Sequence, residues 1–299
     1  MLIGIIANVT KDNVFSVVSS FIKELKRNNL EYLLTKTLME DKDKIIIKTD
    51  ENLLSDDKEI YEKSDLIISI GGDGTMLTTA YRALSYDIPV LGLNLGKLGF
   101  LAEVDISQMD IIIKDIKEGN YQVQERMVLT ADCDTMPGQK LIAINDIVID
   151  KGGWPKMIEI TAQVDGEYVS TFSADGVIIA TPIGSTGYSL STGGPVVSPS
   201  AGAITLSPIS PHSLTMRPLV LSSEQEIIIK ADSPHNEIQI SCDGQRVYHI
   251  PPPLEIKIVK SEKPLKLIHT SVTTYFETLR NKLLWGIDVR RNKINNEGK

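Results

Sequence analysis

The chain has 299 residues, 42% of them hydrophobic and 23% charged, with a formal net charge of -8 and a pI near 5.2. That length suits two domains with a core each, and the acidic balance excludes a general nucleic-acid binder, which needs a basic face to neutralise phosphates. Cys133 and Cys242 stand too far apart for a CxxC pair, give no disulfide framework, and read as buried small apolar groups in a reducing cytoplasm. The opening MLIGIIANVT lacks a basic region, and its apolar run is too short for a signal segment or a membrane span. A cytoplasmic chain with no membrane partner is expected.

Taken in order, LIGIIAN (2–8) reads as a buried strand, and Phe15, Val18, Phe21, Ile22 and Leu25 recur at helical spacing. EYLLT (31–35) and DLIISI (65–70) read as further strands, with a charge-rich stretch of helix and loops at 40–64 between them. A helix over TMLTTAYRALS and a fourth strand, IPVLGLNL (88–95), complete an alternation that predicts a parallel, Rossmann-like sheet with helices on its faces. From about Val128 the pattern changes to short strands: MIEITAQV and EYVSTFSA flank Asp165-Gly166, EIQIS and RVYHI flank Asp243-Gly244, and EQEIIIKA and PLEIKIVK add more. This predicts an all-β sandwich over 127–269, with an α/β nucleotide-binding domain over 1–126 that is completed by 270–299. The helical stretch TTYFETLRNKLLWG (273–286) returns to the first domain, and the polar tail RRNKINNEGK frays.

Two stretches carry chemistry. In LIISIGGDGTML the apolar run ends on Gly71, Gly72 and Gly74 around Asp73. A strand that turns through glycines into a helix leaves unpaired N–H groups at a positive helix end, where phosphate oxygens approach without a Cβ in the way. A carboxylate inside such a cradle suggests phosphoryl transfer, with Mg²⁺ held mainly by nucleotide phosphates and Asp73 receiving the proton of an attacking hydroxyl. An isosteric Asp73→Asn change would then leave the fold intact and remove turnover. Thr75 stands where it could cap the helix or touch a phosphate. The bland alternative is a tight turn needing positive φ.

The second stretch is DGVIIATPIGSTGYSLSTGGPVVSP (175–199), a buried strand followed by a hydroxyl- and glycine-rich segment with hardly a charge, suited to a sugar or a base. Asn145-Asp146, inside the strand-like IAINDIVI, puts two polar residues together where alternation allows one to face solvent, which marks either a strand edge or bulge or a site. No GxGxxG or GxSxG occurs, and the Walker-like GLNLGKL (92–98) is one residue short of that motif and lacks its Ser/Thr. His212, His235, His249 and His269 have no metal-ligand spacing.

GGDGT (71–75), NLGKLGFL (94–101), Asn145-Asp146, Asp175-Gly176 with TPIGSTGY (181–188), STGGP (191–195) and CDGQ (242–245), in that order, resemble bacterial NAD kinases. The resemblance implies phosphorylation of the adenosine ribose 2′-hydroxyl of NAD by ATP or polyphosphate, giving NADP. It implies Asp73 as the catalytic carboxylate and Gly72, Gly74 and Thr75 in the phosphate turn. Leu77 and Phe100 would line the adenine pocket, Asn145 and Asp146 would grip the adenosine, and Asp175 would reach towards the nicotinamide end. Thr186, Gly187, Tyr188 and Ser191 would wall the adenine and ribose. A homo-oligomer, preferably a tetramer, would bring Asp243 to a neighbouring subunit's site. The chain departs from the family's pattern at Ile183, where a hydroxyl is usual, at Gly187, where Ala is usual, and at Ser173, where many bacterial members carry Arg. A diacylglycerol-type lipid kinase, lacking here a basic amphipathic stretch for a membrane, and a non-catalytic NAD-binding regulator are the alternatives.

Overall fold

The continuous apolar run at 66–71 is what a parallel strand covered on both faces requires, and every residue of strand Leu66–Gly71 is buried. A computed structural model describes all residues except 12, 40–52, 96–98, 103, 273 and 286–299. The residues 96–98 of the NLGKLGFL motif, most of the charge-rich stretch, both ends of the 273–286 helix and the whole 290–299 tail therefore lie outside the described residues. The chain divides into two units, Met1–Gln124 together with the chain from Leu267 onward, and Glu125–Lys266.

In the first unit the sheet runs in the order Leu54–Ser55, Glu31–Thr35, Leu2–Ala7, Leu66–Gly71, Val90–Asn94, Leu265–His269, Gln122–Arg126, with Val104–Asp105 beside Val90–Asn94. The pairings from Leu54–Ser55 to Val90–Asn94 are parallel, as is the Leu267 to Val90 bridge. One sheet face, carrying Ile3, Ile5, Leu66, Ile68 and Ile70, packs with the helices Val14–Arg27 and Met109–Glu118. Phe15, Val18, Phe21, Ile22 and Leu25 are all buried there, so the 3.6-residue period of the sequence is the seam of this core. On the other face the helices Asp57–Lys63 and Asp73–Ala83 bury Ile60, Tyr61, Met76 and Ala80. Asp56 caps the shorter helix by accepting the Glu59 N–H, and Thr274 caps Tyr275–Leu283 through the Glu277 N–H. The strand Leu265–His269 and the helix Met109–Glu118 are elements that the sequence analysis did not single out.

The second unit is a sandwich of two antiparallel six-stranded sheets. One runs Leu219–Ser222, Ala203–Ile209, Gly176–Ala180, Asp146–Asp150, Ile238–Cys242, Arg246–Ile250; the other runs Glu167–Ala174, Ile158–Val164, Ile227–Asp232, Leu254–Lys260, Leu129–Cys133, Leu141–Ala143. Alternate residues such as Ile158, Ile160, Ile227, Ile229, Ile256, Ile147, Ile179 and Ile240 form one core between the sheets, the two-residue period of half-buried strands. Both Asp-Gly pairs turn their hairpins with positive φ, 51° and 79° at Asp165-Gly166 and 57° and 64° at Asp243-Gly244.

Candidate active site

In the first unit Gly72 caps the helix Asp73–Ala83 with extended backbone and no side chain. A Cβ on Gly71 would meet the Thr75 side chain at 2.4 Å, so this glycine lets the helix start fold back on its strand. Nothing stands within 4 Å of where a Gly72 Cβ would be, and its bare backbone faces open space. Gly74 is exposed on the first helical turn. The first-turn N–H groups sit at the positive end of the helix dipole, which favours an anion. Thr75 does not cap the helix, because the helix begins two residues before it; its Oγ1 instead accepts from Asn8 Nδ2 at 3.2 Å. Leu77 is buried one turn further on.

Asp73 is tied to a loop 27 to 29 residues away. Its Oδ2 accepts the Phe100 N–H at 2.9 Å, and its Oδ1 accepts those of Leu101 and Ala102 at 3.1 and 3.0 Å. Gly99 permits the approach, since a Cβ there would lie 1.8 Å from Asp73 Oδ1. Two sequence motifs thus form one device, in which the carboxylate of GGDGT holds the loop bearing Phe100. The Phe100 ring lies under the Lys282 ammonium, 5.3 Å from centroid to nitrogen. Beside the turn, a cleft of about 330 Å³ opens among Asn8, Thr35, Thr37, Thr78 and the paired side chains of Asp57 and Arg82. It lies at the carboxyl ends of the strands Leu2–Ala7 and Glu31–Thr35, where open α/β sheets offer their ligand crevice.

In the second unit the strand-like IAINDIVI is broken, and strand Leu141–Ala143 is separated from Asp146–Asp150 by Ile144 and Asn145. Asn145 Oδ1 is out of water and has no partner among the described residues. Asp146 is buried, and burial, with the nearby Asp243 carboxylate second, pushes its pKa up to about 7. The TPIGSTGY segment is tied to this break. Thr181 Oγ1 donates to the Ile144 carbonyl at 2.7 Å, and the Thr181 N–H donates to that of Asn145 at 2.9 Å. A Cβ on Gly184 would stand 1.9 Å from the Asn145 carbonyl oxygen, so only glycine allows the two segments to stack. Gly187 is exposed, and a Cβ there would meet the Gly184 carbonyl oxygen at 3.2 Å and Asp146 Oδ2 at 3.9 Å.

Tyr188 is exposed, and partial burial followed by the carboxylates of Asp150, Asp175 and Asp146 raises its pKa, so these four side chains share one neighbourhood. Asp175 is paired with Lys151, Oδ1 to Nζ 2.7 Å. Thr186 and Ser191 donate from their hydroxyls to the carbonyls of Ile183 and Tyr188, at 3.0 and 2.8 Å, as local turn closures. Ile183 is buried, 8% exposed. Ser189 anchors the segment to the sheet through Ser207 at 3.0 Å and Thr205 at 3.3 Å. The sequence analysis did not single out Thr181, Gly184, Lys151 or Arg246. Gly184 alone left a signal there, as a second glycine in a run already rich in them.

Asp243 faces inward. Its side chain is fully enclosed, paired with Arg246 at 2.6 Å, and accepts the N–H groups of Ile144, Asn145 and Asp146. A carboxylate so occupied ties its own hairpin to residues 144–146 of the same chain. Among the described residues no three His, Cys, Asp or Glu side chains gather as a metal site, and no helix is long and apolar enough to cross a membrane.

Models of the ATP-NAD kinase N-terminal and C-terminal domains match residues 3–121 and 144–270. An NAD kinase of Chlorobium phaeovibrioides is 35% identical over 96% of this chain and 99% of its own length. One of a Thermoanaerobacter species is 38% identical over 94% and 98%. Among solved structures, an Archaeoglobus fulgidus NAD kinase in complex with ATP aligns with a TM-score of 0.69 and 28% identity, over 94% of this chain and 99% of that one. Yeast NADH kinase complexed with NADH aligns with a TM-score of 0.84 over 97% and 89%, at 24% identity a likeness of fold.

Proposed function

The chain belongs to the NAD kinase family, and on that premise we propose that it phosphorylates the 2′-hydroxyl of the adenosine ribose of NAD, with ATP or polyphosphate as donor. The observation that carries the catalytic assignment is the carboxylate of Asp73 at the positive end of a helix whose neighbouring backbone is bare. A carboxylate offers about four acceptor positions, of which the loop N–H groups fill three. The fourth, on Oδ2, takes the proton of the attacking hydroxyl, late in a loose transition state. Gly72, Gly74 and the first-turn N–H groups hold the transferred phosphoryl oxygens, and Leu77 and Phe100 supply apolar surface to the base.

Asn145 and Asp146 receive the adenosine, the first through its unpartnered Oδ1. Gly187, Tyr188, Thr186 and Ser191 form the wall, and Asp175, braced by Lys151, stands towards the nicotinamide end. The one carboxylate at the glycine turn is already engaged by N–H groups, so Mg²⁺ fits as an ion held by nucleotide phosphates and water, neutralising charge on the donor.

Two strands end their sheets with one neighbour each, Glu167–Ala174 carrying exposed Tyr168 and Val169 and Leu219–Ser222 carrying exposed Leu219 and Val220. Their pairing supports a closed homo-oligomer, preferably a tetramer, in the cytoplasm. A light-scattering mass of one 32.9 kDa chain would remove that part. NADP formation by the purified protein from NAD and Mg-ATP tests the activity. NAD binding without any NADP formed would instead mark a non-catalytic regulator.

A further inference from the structure

We propose that Asp243 is a positioning residue for dinucleotide recognition, whose carboxylate curls residues 144–146 into the turn that presents Asn145 and Asp146 to NAD. The inference rests on the reading of those two residues as adenosine contacts given above. Asp243 Oδ1 accepts the N–H groups of Ile144 at 2.9 Å, Asn145 at 2.6 Å and Asp146 at 3.3 Å. Three consecutive N–H groups converge on one point only in a concave turn, since in a strand they alternate between sides. Leu141–Ala143 and Asp146–Asp150 pair in different sheets of the sandwich, and the carboxylate gathers the amides of the link between them, in the turn that leaves Asn145 Oδ1 buried with no partner among the described residues.

Arg246 braces the device from behind, donating to Asp243 Oδ2 at 2.6 Å and to the Ile142 carbonyl at 3.0 Å. The Asp243 N–H closes the ring on the Asp146 carbonyl at 2.9 Å. The other Asp-Gly hairpin provides an internal comparison. Asp165 has the same positive-φ turn, yet its carboxylate stays at the surface and accepts from Gln225 and Glu226. Hairpin geometry therefore accounts for an aspartate at 243, and it does not account for a buried one that gathers the amides of a segment 97 to 99 residues away.

The test is steady-state kinetics on Asp243→Asn, Asn145→Ala and the double variant, with Asp165→Asn as control. Asparagine keeps one acceptor oxygen and turns an N–H₂ towards Arg246 or the amides, so the turn opens. The KM for NAD should rise roughly tenfold or more, with the KM for ATP unchanged. The double variant should be no worse than the poorer single one, because both changes remove the same presentation of Asn145. Asp165→Asn should behave as the parent. Should Asp243→Asn fail to fold, Arg246→Gln is expected to show the same KM split on a smaller scale. An unchanged KM for NAD, an equal rise in both KM values, or additive effects in the double variant would overturn the proposal. Absence of NADP formation by the parent protein would instead overturn the functional reading beneath it.

Discussion

Asp73→Asn is the change that separates chemistry from architecture, and the structure gives it two consequences where sequence reasoning expects one. Asparagine retains Oδ1 for the N–H groups of Leu101 and Ala102, now as bonds to a neutral acceptor. At the Oδ2 position it places an N–H₂ against the Phe100 N–H, donor against donor. A hydrogen bond to a charged group contributes about 1.5–3 kcal/mol and a neutral one about 0.5–1.5 kcal/mol. Losing one and weakening two at a half-buried site costs about 2 kcal/mol, or roughly 4–8 °C in Tm for a unit of this size. Turnover should fall by roughly two to four orders of magnitude from loss of the proton acceptor. Gly99→Ala attacks the clamp from the other side, because its Cβ would stand 1.8 Å from Asp73 Oδ1 and must push loop and carboxylate apart, so it should lower both Tm and turnover. Thermal unfolding beside a coupled NADP assay reads both. If Asp73→Asn melts like the parent, the loop clamp is wrong, and if its kcat stays within a few-fold of the parent, the proton-acceptor role is wrong.

Gly184→Ala should destabilise the protein by about 3 kcal/mol or more and abolish NAD binding, because its Cβ meets the Asn145 carbonyl at 1.9 Å; Gly187→Ala, whose Cβ meets the Gly184 carbonyl oxygen at 3.2 Å and needs only a small shift of it, should cost far less. Calorimetric titration with NAD checks the pair, and equal behaviour of the two would refute the stacking argument. Asp146 has a folded pKa near 7, above its unfolded value of about 3.9. The folded state therefore binds the extra proton between those values, so this group's contribution is fully present below pH 4 and is lost as pH rises through 7. Asp146→Asn should accordingly raise Tm relative to the parent at pH 8 and not at pH 4, and a pH-independent difference would contradict the burial argument. Ile183→Thr should lower stability by about 1–3 kcal/mol and leave the KM for NAD within twofold, since the side chain is 8% exposed; a selective change in that KM would instead place Ile183 against the adenine.

The elements legible in the sequence were those whose burial follows a period. The helix Val14–Arg27 and the strand Leu66–Gly71 are set by apolar spacing, and the two Asp-Gly hairpins by turn residues that tolerate positive φ. What joins distant segments left no such mark. Nothing local tells that Asp73 and residues 100–102 share hydrogen bonds, or that Leu265–His269 completes a sheet begun at residue 2. The Asn145-Asp146 pair was visible only as a violation of strand alternation, and the cause of the violation, Asp243, lies almost a hundred residues later in what looks like an ordinary hairpin. The order of the motifs identified the family because it summarises such long-range constraints without revealing their geometry.

The same device occurs once in each unit: a carboxylate that gathers three consecutive N–H groups, Asp73 over 100–102 and Asp243 over 144–146. It answers the difficulty that a chain of net charge -8 faces in handling an anionic dinucleotide. Around Tyr188 stand Asp146, Asp150 and Asp175, a neighbourhood that repels phosphate and is rich in acceptors. Such acceptors suit the donor-bearing parts of NAD, the adenine amino group and the ribose hydroxyls. Phosphate oxygens need donors instead, and the helix start at Gly72–Thr75 offers them from the backbone, with the Arg82 side chain lining the cleft beside it. Asp243, fully enclosed and paired with Arg246, fixes its turn without facing the ligand, whereas Asp73 in the proposed mechanism holds its loop and keeps one acceptor position on Oδ2 for the reacting hydroxyl. For the proposed function, the side-chain acceptors of the second unit suit the adenosine, and the main-chain dipoles at the helix start of the first unit suit phosphate.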